Sequence, residues 1–512
     1  MNLNDLVNVS SAVSATRSRL KKRALLGDCL RAADTNEVRL VVNYLAGVMP
    51  QGRIGLGPAM VSAALKNAET GDNALALTEI DRRLADIAAM KGAGSKQAKT
   101  DAFGQLLSQV TSEEQRFLAG LVLGEVRQGA LEGVLIEGIA EASELPADAI
   151  RRAVMLAADP APVAEAALVD GLPGLQAFRL QVLNPVRPML AQPSDTLAEA
   201  MDGLGEAALQ YKLDGARIQV HRAGADVRIF TRQLHDVTAR LPEITEAALE
   251  MPAREFILDG EAIAFGKDER PLPFQVTMRR FGRSSNVEEM RDKLPLSGLH
   301  FDCLYLDGDE LIDRSFDERS AALAGIADAQ ALVPQLTTAN VTEASRFLAA
   351  ALEQGHEGIM AKSPGSLYAA GNRGSDWLKI KQAHTLDLVI LAAEWGSGRR
   401  KGWLSNLHLG ARNPDDGSFV MLGKTFKGLT DKMLAEQTKA LLDRELGRDG
   451  NVVHVRPELV VEIAVNDIQE SRQYPAGMAL RFARVKRYRS DKRASEADTI
   501  DTVRQLFDEA RR

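Results

Sequence analysis

The spacing of apolar residues changes character about a third of the way along this 512-residue chain, and that change most constrains the fold. Residues 1–180 are dominated by Ala and Leu with few strand-like alternations, and they read as helical. Thr111-Ser112-Glu113-Glu114 offers a capping box ahead of Phe117, Leu118, Leu121 and Val122 at helical spacing. The glycine- and lysine-rich segment 91–100 predicts an exposed flexible loop. A Pro/Gly-rich stretch from Asp159-Pro160-Ala161-Pro162 through Gly171-Leu172-Pro173-Gly174 to Pro185 and Pro188 predicts a linker. Beyond it, short alternating runs at 216–221, 227–231, 256–265 and 299–306 predict strands, with helical pieces between them.

A second change falls near His384-Thr385. Runs at 386–393, 404–411, 418–426 and 459–465 predict strands of a small β domain, with a helix over 432–446 inserted among them. Ser495-Glu496-Ala497-Asp498 is expected to cap a last helix with the stripe Ile500, Val503, Leu506 and Phe507. The expected fold class is therefore multidomain: an all-α domain over 1–180, an α+β domain over 181–384, and a β domain with a C-terminal helix over 385–512. No repeat of fixed period is visible.

Two cysteines, Cys29 and Cys303, cannot build a disulfide framework or a four-cysteine zinc site, and they suit a reducing compartment. No apolar run approaches the roughly 18–20 residues needed to span a bilayer. The N-terminal stretch ends in a basic cluster at Arg17, Arg19, Lys21, Lys22 and Arg23 and lacks the apolar core of a signal peptide. The expectation is a cytoplasmic protein with no membrane association.

The sharpest local signal is Tyr211-Lys212-Leu213-Asp214-Gly215-Ala216-Arg217. Alone it reads equally well as a strand-end turn. It is followed, in order, by Leu258-Asp259-Gly260-Glu261, Phe301-Asp302-Cys303-Leu304-Tyr305, Glu357-Gly358-Ile359-Met360, Trp377-Leu378-Lys379-Ile380-Lys381 and Arg481-Phe482-Ala483-Arg484-Val485-Lys486-Arg487. This series resembles the six motifs of the covalent lysine nucleotidyltransferases, and specifically of ATP-dependent DNA ligases. The stretch Gly124-Glu125-Val126-Arg127-Gln128-Gly129-Ala130-Leu131-Glu132-Gly133 is similar to the glycine-rich helix-loop-helix of their DNA-binding domain. Pro271 to Gln275, followed by Arg279-Arg280-Phe281, matches their adenylation domain.

The resemblance implies a helical DNA-binding domain, an adenylation domain and an OB-fold domain. The enzyme would seal 5′-phosphate/3′-hydroxyl nicks in double-stranded DNA through a lysyl-AMP and a DNA-adenylate, using ATP and Mg²⁺. Lys212 would be the nucleophile. Its amine attacks a phosphorus only when deprotonated, and desolvation and neighbouring cations such as Arg217, Lys379 and Lys381 favour that form. Gly215 suits a tight approach of backbone to the nucleotide, and Asp214 either orients the lysine or accepts a loop N–H. Arg217, Gln219 and His221 share one strand face, and the resemblance places Arg217 on the ribose. Gly224 makes a hairpin turn that returns Arg232, a phosphate sensor by resemblance. Glu261 would hold a ribose hydroxyl or support the metal, and Glu357 would serve the metal. Phe301 would stack on adenine. Lys379 and Lys381 alternate by two on one strand face as a phosphate clamp, with Arg373 as a further phosphate contact.

Two positions depart from the family pattern. Gln210 stands where a glutamate is common, yet it also can accept from the adenine amino group. Ala483 replaces a proline. The last motif is otherwise basic, and it would orient pyrophosphate during adenylation. Its β domain is expected to swing on a hinge at 382–385. Glycines near the helix ends at 124–133 let backbone N–H groups meet phosphates, with Arg127 adding charge, and the loop Gly52-Arg53-Ile54-Gly55-Leu56-Gly57 is a second such candidate, no more strongly than as an ordinary helix-capping loop. An RNA ligase or capping-type guanylyltransferase shares the lysine motif but not the match at 124–133. An NAD-dependent ligase carries a four-cysteine module that this chain cannot supply. A catalytically dead binding protein would not need Lys212, Glu261, Glu357 and Lys379 together. The formal charge of −7 excludes a uniformly basic binder only, so DNA is expected on an inner cationic face, by a monomer.

Overall fold

The computed structural model describes residues 1–126, 132–283, 285–370, 374–381 and 384–509. It is multidomain, with a helical N-terminal part and a β-rich C-terminal region. From Leu3–Ala15 to Gly171–Gln176 the described elements are helices around one apolar core that includes Leu6, Val42, Leu84, Phe103, Leu118, Ile139 and Val163. The capping box forms as its spacing predicts: Thr111 caps Ser112–Leu123, and the Glu114 side chain returns to the Thr111 N–H at 2.8 Å. Gly124 closes that helix in the left-handed region at φ 68°. Arg127 and the rest of 127–131 lie outside the described residues.

Four boundary expectations need correction. Residues 159–176 are helical, in Pro160–Val169 and Gly171–Gln176, rather than a linker. Pro160 occupies the first helical position, where its missing N–H costs nothing, and Asp159 accepts from the Ala161 N–H at 2.9 Å. Helix Ser95–Leu107 absorbs half of the expected 91–100 loop, because Phe103, Leu106 and Leu107 bury one face. The inserted helix is Asp431–Leu442; Glu445 and Leu446 already belong to strand Glu445–Asp449. The last helix, Ile500–Glu509, is capped by Thr499, whose Oγ1 accepts from the Thr502 N–H, and not by the 495–498 stretch.

The middle part is built on two five-stranded sheets. One orders Gln192–Pro193, Trp377–Lys381, Gly358–Lys362, Ala207–Tyr211 and Gln335–Thr338; the other orders Asp226–Thr231, Ala216–Ala223, Glu255–Ile263, Ser297–Leu306 and Asp309–Glu310. The hairpin turn falls at Gly224, φ 63°, as its position predicts. The C-terminal region holds a seven-stranded sheet, in which the long strand His384–Trp395 pairs with Leu404–Arg412, Val452–Val455 and Val460–Val465, and a two-stranded sheet of Asp467–Glu470 and Met478–Arg481. Its core includes Leu388, Ile390, Leu407, Leu409, Val461 and Ile463.

The parts touch. Met155 and Leu156 of helix Ala147–Ala157 share an apolar cluster with Val186, Met189, Ile257, Leu304, Tyr368 and Trp377 of the middle part. Arg481 of the C-terminal region pairs with Asp214 at 2.9 Å.

Candidate active site

Between the two middle sheets lies a cavity of about 210 Å³. Its lining joins most of the expected residues: Gln210, Lys212, Arg217, Arg232, Glu261, Phe301 and Lys379. Each reaches it for a local reason. Gln210 and Phe301 stand on strands of opposite sheets, and the Gln210 amide donates across to the Phe301 carbonyl (3.3 Å) and to Gln335 Oε1 (2.9 Å). Its own Oε1 is buried without a hydrogen-bond partner. Alternation puts Trp377 and Lys379 of one strand on the cavity side, and Met360 and Lys362 of its neighbour beside them.

Lys212 directly follows strand Ala207–Tyr211 and is fixed by backbone. Its N–H donates to the Gly358 carbonyl at 2.8 Å, and its carbonyl accepts from the Glu357 N–H at 3.1 Å. That clasp sets Lys212 Nζ 2.6 Å from Glu357, whose carboxylate also holds Lys381 Nζ at 2.7 Å. Gly358 adopts φ 140°, a backbone open to glycine, and any side chain there would strike the Ile380 carbonyl. Gly215 is equally constrained, since a methyl group would collide with the Ala262 carbonyl in the strand that carries Glu261.

The electrostatics divide the acids. Burial raises the Glu357 carboxyl, but Lys212 and Lys381 outweigh it and hold the group below its ordinary value. Burial pushes the Glu261 carboxyl up to about 7, against the pull of Lys212 and Arg217. Burial, with Glu357 beside it, also raises Asp214, although Arg481 pulls the other way. Lys381 is lowered by burial and by Lys212. The site thus presents an amine, an acid held below its ordinary range and a second acid that burial lifts to near neutrality.

Some expected residues sit differently. The Arg217 guanidinium lines the cavity but is engaged by both Asp259 oxygens (3.0 and 2.5 Å) and by the Met189 carbonyl (2.7 Å). Lys381 faces Glu357 and the adjoining cleft toward the C-terminal region, not the main cavity. Arg373, Gln382 and Ala383 lie outside the described residues. Ala483 is buried, its carbonyl accepting from Thr425 Oγ1, and the preceding Phe482 takes φ 56° with an exposed ring.

The sequence reading missed Lys362. Its Nζ is buried 4.0 Å from the Trp377 ring centre, 4.4 Å from Phe316 and 4.7 Å from Phe301, and donates to the Phe301 carbonyl. Burial pushes the Lys362 ammonium down to about 7. The signal was available: Lys362 stands two residues after Met360 on the strand that leaves Glu357.

Comparison with known proteins finds related sequences and folds along the whole chain. Residues 58–140, 188–381 and 400–492 match, in turn, family models described as DNA ligase N terminus, ATP dependent DNA ligase domain and ATP dependent DNA ligase C terminal region. A protein of Anaeromyxobacter sp. (strain Fw109-5), named a probable DNA ligase, is 56% identical over 99% of this chain and 98% of its own length. One from Sorangium cellulosum (strain So ce56), named likewise, is 48% identical over 99% of this chain and 95% of its own. The solved structure of Pmar-Lig_PreS3 shares the fold at a TM-score of 0.61 and 17% identity, covering 94% of this chain and 99% of that one. Pmar-Lig_Pre does so at 0.63 and 16%, covering 95% and 99%.

Proposed function

Because the chain belongs to the ATP-dependent DNA ligase family, we propose that the cavity beside Lys212 is where its nick-sealing reaction begins. The family mechanism runs through an enzyme-adenylate. Lys212 Nζ attacks the α-phosphorus of ATP and pyrophosphate leaves. The AMP passes to the 5′-phosphate at a nick, releasing the lysine. The 3′-hydroxyl then attacks that phosphorus, the strand is joined and AMP leaves. Every step is phosphoryl transfer, so positioning and charge neutralisation carry it.

The observation that carries this assignment is the backbone clasp that sets the Nζ of Lys212, a residue lining the cavity, against Glu357. Gln210 Oε1, a buried acceptor without a partner, is suited to the adenine amino group; guanine would present a carbonyl there. Phe301 offers its ring to the base, with Lys362 and Trp377 behind it. Arg232 and Lys379 supply positive charge for phosphates, with Arg373 assigned by its motif position alone. Arg217, locked to Asp259, presents its remaining edge to the ribose.

Among the described residues no cluster of three metal-ligating side chains forms. The donor set nevertheless fits Mg²⁺, which takes one or two carboxylates plus substrate phosphates and water. Glu261 is a buried acid poised near neutrality, and Glu357 is an ionised one shared by two ammonium groups. Glu261 and Glu357 would hold the ion, which supplies Lewis-acid neutralisation of phosphate charge.

The domains then read as a helical DNA-binding domain over 1–180, an adenylation domain over 181–384 and an OB-fold domain with its C-terminal helix over 385–512. The Arg481–Asp214 pair supports an arrangement with the OB-fold closed over the lysine for adenylation. Nicked duplex DNA is bound by one copy of the chain. A cytoplasmic role in replication, repair or recombination is in keeping with two buried, unpaired cysteines; no helix among the described residues is long and apolar enough to cross a membrane.

Incubation with Mg²⁺ and α-labelled ATP, GTP or NAD, followed by denaturation, tests the reading. Label is expected to stay on the protein from ATP alone; labelling by GTP or NAD instead would overturn it. EDTA should lower adenylation at least on the order of a hundredfold, and added Mg²⁺ should restore it. Gln210→Ala is expected to raise KM for ATP about tenfold, the worth of one lost hydrogen bond, and to narrow the preference over GTP in a competition assay.

A further inference from the structure

The strand after Lys212 carries three side chains that all grip one segment of backbone. Arg217, Gln219 and His221 alternate along Ala216–Ala223, and the segment joining the helical domain to the adenylation domain lies across them. His221 Nδ1 accepts from the Leu183 N–H at 3.0 Å. Gln219 Oε1 accepts from the Val186 N–H at 2.8 Å, and its amide donates back to the Val186 carbonyl. Arg217 donates to the Met189 carbonyl at 2.7 Å. A step of two along the strand is matched to a step of three along the joining segment.

The network is closed, and its side chains are buried. Because Nδ1 accepts, the ring proton of His221 sits on Nε2, which donates to Gln219 Oε1 at 2.9 Å. His221 is fully buried, Gln219 nearly so, and burial pushes the imidazole down to about 3, which keeps it neutral. Leu183 is held at φ 70°, a backbone that leucine rarely adopts and that the bond to His221 holds in place.

What the grip positions follows at once in the chain. Leu190 and Ala191 form one wall of the cavity, and Gln192–Pro193 then pairs with the strand that carries Lys379. We propose that Gln219 and His221 are positioning residues for nucleotide binding, which register the joining segment on the strand and so hold Leu190 and Ala191 against the nucleotide. Lys212 is fixed separately by its clasp on Glu357 and Gly358. Losing the register therefore lowers the fraction of molecules with a competent cavity, which weakens apparent affinity and leaves the chemistry of bound nucleotide intact.

His221→Phe keeps the ring edge that meets Phe230 and removes the acceptor; His221→Asn returns an acceptor near the Nδ1 position. In single-turnover self-adenylation, His221→Phe is expected to raise KM for ATP about tenfold with the saturating rate within about twofold, and His221→Asn to recover most of the loss. Gln219→Met, of equal length without either bonding atom, should show the same split and serves if His221→Phe fails to fold. An unchanged KM, or a lower saturating rate at constant KM alongside a lower melting temperature, overturns the proposal. This role presupposes that the cavity takes the nucleotide. Gln210→Ala separates the two ideas: if it also leaves KM unchanged, the cavity assignment fails, and if it raises KM while the His221 and Gln219 variants do not, the positioning role alone fails.

Discussion

A Lys212→Ala variant is expected to lose sealing of an ordinary nick with ATP by about four orders of magnitude or more, to the background of the assay. The same variant should still seal a nick that already carries AMP on its 5′-phosphate, because that last step needs no lysine nucleophile. Lys212→Arg should fail equally in the first assay, since a guanidinium does not deprotonate and cannot form the phosphoramidate. Unfolding does not account for the loss: Lys212 is partly exposed, and Glu357 keeps Lys381 as a partner at 2.7 Å. Gel-resolved joining of labelled strands checks both arms. Retained sealing with ATP by Lys212→Ala, or equal loss on the pre-adenylated nick, contradicts the assignment.

The second large effect is on stability, at a pair that touches no substrate. Arg319 is fully buried. It donates to both oxygens of Asp302 at 2.8 and 3.1 Å and to the carbonyls of Arg314 and Ser366 at 2.7 and 2.9 Å. Asp302 is also fully buried and follows Phe301 directly. Arg319→Met leaves that carboxylate without its cation and two carbonyls without a donor, a cost of about 3–5 kcal/mol. The double variant Arg319→Met, Asp302→Leu removes both charges and should recover part of the loss, because the penalty lies in the orphaned charge. Urea unfolding followed by a probe in the adenylation domain measures it. A change below about 1 kcal/mol for Arg319→Met would show that water reaches the site.

The two predictions differ in how far the sequence announces them. Lys212 is legible because its motif is a contiguous string and the later motifs follow in order. The turn at Gly224 and the capping box at Thr111 are legible for the same reason: their chemistry is local. Arg319 is not, because its partner lies 17 residues away on another element and nothing local distinguishes it from a surface arginine. Lys362 was missed because a lysine ending an apolar strand reads as solvent-facing until the rings of Trp377, Phe316 and Phe301 close around it. Arg217 was legible as a site residue, yet not its lock on Asp259, which requires the pairing of two strands.

The boundary errors have separate causes. Pro160 and Pro162 signal a break by composition, but in the first turn of a helix proline gives up no hydrogen bond. The residues 95–100 look like loop until the apolar face beginning at Phe103 docks on the helical core. Local helix-start chemistry decided the first and tertiary packing the second. The N-terminal run of helices ends at Gln176, and the side chains that hydrogen-bond the segment after it, Gln219 and His221, lie more than thirty residues downstream, as the 33- and 38-residue separations of their bonds show.

In the proposed mechanism this ligase carries its AMP on one lysine and passes it to nicked DNA. Peptide mapping by mass spectrometry, after incubation with ATP and Mg²⁺, tests it most directly. An AMP adduct is expected on the peptide that holds Lys212, and nicked duplex should discharge it as sealed product appears. An adduct on any other residue, or one that nicked duplex leaves in place, would contradict the account.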